Sequence, residues 1–174
     1  SVFVAWASQC QVVRGYQNIA DPTLGLTAVG DSSAVLGAAG LNGVVSLGDG
    51  GSATLTFDHP LVNGPGWDFA VFENGFGNFL ELAFVEVSSD GETFHRFPAH
   101  SLTDSSVQTD GFGGTDATKI NNLAGKYSVL YGTPFDLEEM KSLPGLDLNR
   151  ITQVRIVDVV GSLDKEYARY DTAG

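Results

Sequence analysis

At 174 residues, with 43% hydrophobic and 17% charged residues, the chain is long enough for one domain with its own core and too poor in charge to be a disordered acidic tail. Its formal net charge of −12 comes from 21 acids against 9 bases. Such a surface repels nucleic acid and anionic membranes, which need a basic face, and suits a divalent cation instead.

Strand signals dominate. Val2–Trp6 is an apolar start. Val44–Leu47 and Ala53–Phe57 flank Gly48-Asp-Gly-Gly51 and read as a hairpin, because glycine supplies the positive φ of a tight turn. Phe69–Phe72 follows a Gly-Pro-Gly turn. Leu80–Val87 alternates, with Leu82, Phe84 and Glu86 on one face and Ala83, Val85 and Val87 on the other. Ser88-Ser-Asp-Gly91 then turns the chain into a return strand, Thr93–Phe97. The polar, glycine-rich stretch Thr103–Ala124 reads as a long surface loop, and Tyr127–Leu130 as a short strand. Phe135–Leu143 is the one predicted helix: Asp136 caps it, Glu138 and Glu139 occupy its first turn, and Pro144-Gly145 ends it. Ile151–Val160 is apolar on both faces, as the central strand of a sheet is. Short strands separated by Gly, Pro, Asn and Asp turns predict an all-β domain over residues 1–174, an antiparallel β-sandwich or jelly roll with one short helix. A single cysteine, Cys10, excludes an internal disulfide framework. No run of about 18 apolar residues predicts membrane insertion. No signal-peptide n-region is seen at Ser1, which fits a mature exported form.

Oxygen ligands dominate the candidate sites. Asp68 precedes the strand Phe69–Phe72, and Glu73 and Asn74 follow it beside a glycine-rich loop; this pattern suits a hard cation such as Ca²⁺. Asp158 lies within an apolar strand on the face of Val154 and Ile156, where a carboxylate must be paired, hydrogen-bonded or metal-bound. Arg150, Arg155 and a backbone turn are its other partners in sequence terms. Asp68, Glu73, Asn74 and Asp158 are therefore the predicted metal ligands, with Asp58 and Asp90 as further strand-end carboxylates. Asp110-Gly-Phe-Gly-Gly-Thr-Asp116 is a single copy of a pattern that binds Ca²⁺ in tandem repeats, and reads as an ordinary loop. Trp67, Phe76, Phe79 and Phe112 are loop aromatics, a platform for a sugar ring or other flat ligand unless they fold back on the core.

Catalytic signatures are weak throughout. Gly30-Asp-Ser-Ser33 lacks the G-x-S-x-G elbow, and His59, His95 and His100 lack metal-pair spacing. Glu81 and Glu86 fall on opposite faces of one strand, so they do not flank one bond. Cys10 has no evident base and reads as a small buried hydrophobe. The expectation is a protein that is not an enzyme.

The order of Val45-Ser-Leu-Gly-Asp-Gly-Gly-Ser-Ala-Thr-Leu-Thr-Phe57, Asn63-Gly-Pro-Gly-Trp-Asp-Phe-Ala-Val-Phe-Glu-Asn-Gly75, Leu82-Ala-Phe-Val-Glu-Val-Ser-Ser-Asp-Gly91 and Val154-Arg-Ile-Val-Asp-Val-Val-Gly-Ser162 resembles a family of exported bacterial cell-surface proteins. Members often carry a C-terminal sorting signal of the PEP-CTERM or type IX secretion kind. The resemblance covers nearly the whole chain and implies a secreted or bacterial cell-surface location more firmly than it implies an activity. The Ser-Ser-Asp-Gly-x-x-Phe hairpin, Ser88–Phe94, is also similar to galactose-binding-like (discoidin-type) jelly rolls, in which a structural Ca²⁺ is common and sugar-binding loops lie at one end. Family members usually continue past the Tyr170–Gly174 region into a closing strand, so the resemblance implies that this chain lacks that strand and leaves a sheet edge open to β-augmentation. The resulting expectation is a non-catalytic, Ca²⁺-stabilised recognition or adhesion module of the cell surface or extracellular matrix that binds a glycan or other surface ligand. The alternatives are a structural subunit that self-associates through sheet edges, and small-molecule capture for surface uptake.

Overall fold

The computed structural model describes residues 3–75, 80–102, 116–127, 130–162 and 164–169. The fold is an all-β antiparallel sandwich built on one large sheet. Its strands are β1 (Gln9–Val13), β2 (Ser52–Leu61), β4 (Ala83–Ser88), β5 (His95–Arg96), β8 (Leu123–Ala124) and β10 (Ile151–Asp158). They run in the order β1-β2-β10-β4-β5, with β8 also paired to β4. Two small ladders cover it: β3 (Phe69–Val71) with β9 (Thr133–Phe135), and β6 (His100–Ser101) with β7 (Ile120–Asn121).

The sheet is buried on both faces at its centre, and the sequence says why. Every residue of β4 is buried. Its odd-numbered positions, Ala83, Val85 and Val87, join Val154, Phe97, Phe135, Leu137 and Met140 in the main core. Phe84, on the opposite face, packs with Ala99 just before β6, Ile120 of β7 and its cross-strand partner Leu123 of β8. Phe135 is the pivot of the main core: its ring lies 5.3 Å from Phe69 and 5.1 Å from Phe97. β10 sits between β2 and β4, as its two apolar faces predict.

Four expectations are corrected. The predicted helix Phe135–Leu143 is a single 3₁₀ turn, Leu137–Met140, because Phe135 is still paired in β9 and both Leu137 and Met140 are drawn into the core. Asp136 does cap it, accepting from the Glu138 N–H at 2.9 Å. The Val44–Leu47 hairpin arm does not form: β2 pairs instead with β1 and β10, and the Leu47 carbonyl accepts from the Gly15 N–H at 2.7 Å. The described part of the apolar start, residues 3–6, forms no strand, and the first strand is β1, whose polar Gln9 and Gln11 hid it from an apolar search. Thr103–Ala124 is not all loop, since its described part holds the 3₁₀ turn Ala117–Lys119, β7 and β8.

Among the described residues Glu86 is the buried acid with full compensation. It accepts from Arg96 Nε at 2.9 Å and Arg155 Nε at 2.6 Å, both guanidinium groups reaching it across the ladder from β5 and β10. Arg96 stacks on Phe84 at 4.1 Å and Arg155 on Phe94 at 3.9 Å. Glu86→Ala strands two cations, but they are 41% and 34% exposed and regain water. The expected loss is therefore about 2 kcal/mol, below the roughly 3–5 kcal/mol for breaking a fully buried pair, and urea denaturation measures it. A loss under about 0.5 kcal/mol would place the triad among ordinary surface pairs.

Candidate functional site

One end of the sandwich collects carboxylates from four separate segments. Glu73 follows β3, Glu81 precedes β4, Asp158 ends β10, and Asp49 lies in the turn before β2. Sheet register brings them together: Ala83 pairs with Asp158, and the Val159 N–H donates to the Leu82 carbonyl at 3.2 Å. Gly125, just after β8, seals this corner. A Cβ there would lie 1.8 Å from the Glu81 carbonyl oxygen and 3.4 Å from Glu73 Cγ.

The corner is electrostatically unbalanced. Burial pushes the Glu73 carboxyl up to about 8, and the facing Glu81 and Asp158 charges push the same way. Burial likewise pushes Asp158 up to about 7, against a hydrogen bond from the Gly50 N–H and with Asp49 and Glu81 adding repulsion. Burial raises Glu81 as well. Among the described residues no lysine or arginine pairs with any of the four. Arg155, one partner open to Asp158 on sequence grounds, is committed to Glu86. What Asp158 has is the 48–51 turn: the Gly50 N–H at 3.2 Å, and its own N–H donating to Gly51 O at 2.9 Å. Among the described residues no three His, Cys, Asp or Glu side chains are set to hold one metal ion between them.

The predicted ligand set is only partly assembled. Glu73 and Asp158 lie near enough to repel each other, whereas Asp68 stands at the far end of β3. The Asp68 carboxylate is committed to the N–H groups of Gly64 at 2.7 Å and Leu137 at 2.8 Å, so it is a structural clamp between two loops. Asn74 is exposed beside Glu73. Asp90 closes its own turn, accepting from Ser88 Oγ and the N–H groups of Glu92 and Thr93, which hold its carboxyl well below the usual range. Asp116 does the same for Thr118. Glu81 and Asp49 were not predicted. Pairing Leu80–Val87 against Ile151–Val160 in antiparallel register would have brought Glu81 to Asp158, but nothing local marks that register.

An apolar cavity of about 540 Å³ opens next to this corner. Leu55 and Phe57 of β2 and Val154 and Ile156 of β10 form one wall, and Phe69 and Phe72 stand opposite. Phe3 and Trp6 close it by packing on Phe72, with ring centroids at 5.5 and 5.7 Å. Asp68, Glu73 and Asn74 contribute the acid and amide groups of its lining. Of the predicted ligand-binding aromatics, Trp67 lines the cavity and is 74% exposed. Phe76, Phe79 and Phe112 lie outside the described residues. Cys10 is half-buried, and burial raises its thiol pKa, which makes it a poor nucleophile.

No protein-family model, curated protein or solved structure matches the chain. No helix among the described residues is long and apolar enough to cross a membrane.

Proposed function

We propose that this chain is a non-catalytic, extracellular recognition module whose fold is stabilised by Ca²⁺ at the acidic corner. One observation supports the reading: Glu73, Glu81 and Asp158 repel one another, Asp49 adds to the repulsion on Asp158, and no basic side chain among the described residues pairs with any of them. A fold retains such a cluster at a cost unless something positive completes it. The donor set is hard oxygen without histidine or cysteine, which fits Ca²⁺ better than zinc or copper. Since no three of these side chains converge on one point, an ion held by Glu73 and Asp158 would take the remainder of its roughly six to eight oxygens from main-chain carbonyls and water. The secreted or cell-surface location rests on the family resemblance of the motifs.

Calorimetric titration tests the site. Ca²⁺ is expected to bind with proton release near neutral pH, because the ion displaces protons from carboxyls held at about 8 and about 7. The apparent heat should therefore change with the ionisation enthalpy of the buffer. Asp158→Asn should remove the binding. Absence of heat, or heat unaltered by Asp158→Asn, would return these acids to a purely structural role.

A second reading, assembly through sheet edges, draws on β1, which is the outermost strand of the large sheet among the described residues. Concentration-dependent association lost on placing proline at Gln11 would support it.

A further inference from the structure

The cavity carries an inference that goes beyond calcium. We propose that it is a binding site for one small amphiphile with an apolar body and an uncharged or cationic head, an alcohol or an amine rather than a carboxylic acid. Its volume of about 540 Å³ falls within the roughly 300–1,000 Å³ of small-molecule sites. It lies between the two layers of the sandwich, where side chains would normally interdigitate to fill the space. Leu55, Phe57 and Ile156 remain only partly buried there, although their strand positions point them at the core. An apolar guest would bury them; water, lacking polar partners along these walls, would not occupy the space well.

The polar lining determines the head group. Both Asp68 oxygens are already hydrogen-bonded to backbone N–H groups. Glu73 has no hydrogen bond among the described residues and borders the cavity beside Phe72. The aromatic cluster of Phe3, Trp6 and Phe72 stands at the same end, and aromatic faces next to a carboxyl group receive a hydroxyl or an ammonium. A carboxylate head would meet the Asp68 carboxylate in the same lining, in a chain of net charge −12, and would be repelled. Ligands of this class come from membranes or from dissolved signals and nutrients; the chemistry recognised is the same.

The experiment uses dodecylamine and dodecanoate below their micellar concentrations and dodecanol below its solubility limit, followed by tryptophan fluorescence, since Trp6 and Trp67 both line the cavity. Titrations are run in EGTA and repeated with Ca²⁺. The expected result is saturable one-to-one binding of dodecanol and dodecylamine in EGTA, with dodecanoate weaker by about tenfold or more. Ile156→Trp fills the cavity from the sheet, and Ala38→Phe blocks it from the facing loop with little load on the core. Each should weaken the two binders by about tenfold or more while the melting transition is kept. The proposal is overturned if no probe binds in EGTA, if both cavity variants bind as the wild type does, or if dodecanoate binds as tightly as dodecanol. Because the decisive titrations contain no calcium, a failure of the calcium reading leaves these outcomes intact, and the reverse also holds.

Discussion

Gly125→Ala is expected to destabilise the protein by about 4 kcal/mol or to prevent folding, a loss well outside the usual range for a single substitution. Two terms add. Gly125 has φ of +78°, where an alanine pays about 1–2 kcal/mol for its Cβ. The new methyl would also stand 1.8 Å from the Glu81 carbonyl oxygen, and backbone cannot yield as a side-chain tip does. Relief requires the segment before β4 to move away from β8, which opens the corner holding Glu73 and Asp158. Gly145→Ala supplies the contrast: its φ is +82° but nothing lies within 4 Å of the added methyl, so only the conformational term of about 1–2 kcal/mol applies. Urea denaturation of the two variants separates the terms. Equal losses would mean that the close approach at Gly125 is not a constraint of the fold.

The calcium-free protein is expected to lose stability as pH rises from about 5 to about 8, the reverse of ordinary acid denaturation. Glu73 goes from an ordinary 4.5 to about 8 in the fold, and Asp158 from 3.8 to about 7. Over that window the folded state holds protons that the unfolded chain has released. These groups therefore favour the fold fully below their unfolded values, and the benefit disappears as pH passes through their folded values. With solvent reaching both carboxyls, the expected loss is about 3 kcal/mol, or roughly 6–12 °C of melting temperature for a chain of this size. Glu73→Gln with Asp158→Asn should flatten the profile, because both replacements stay neutral. A melting temperature that climbs between these pH values in EGTA would contradict the electrostatic picture of the corner.

The legible parts of this fold were those with local signatures. β4 and β10 announced themselves by alternation and by apolar faces, and the Ser88–Gly91 turn by its Asp and Gly. β1 carried no such signal, because an edge strand with one wet face needs few apolar residues. The helix prediction at Phe135–Leu143 rested on good capping at Asp136, but capping chemistry is shared by α and 3₁₀ turns. Core burial of Phe135, Leu137 and Met140 then outweighed helical propensity. The site was half legible for a related reason. Asp158 stood out as a carboxylate in an apolar strand, and Glu73 as an acid at a strand end. Glu81 and Asp49 join them only through sheet register and a turn more than a hundred residues from Asp158, which no local pattern encodes. Asp68 misled because the same oxygens that ligate a cation also clamp backbone N–H groups.

A cation that completes the acidic corner should separate the thermal melts of the protein near neutral pH in Ca²⁺ and in EGTA. At a hundredfold excess over its dissociation constant, an ion that binds only the folded form adds about 2.7 kcal/mol, or roughly 5–11 °C here. That rise is expected for the wild type, and its absence in Glu73→Gln and Asp158→Asn. Identical melting in the two buffers would contradict it and leave the four carboxylates as a strained feature of the fold alone.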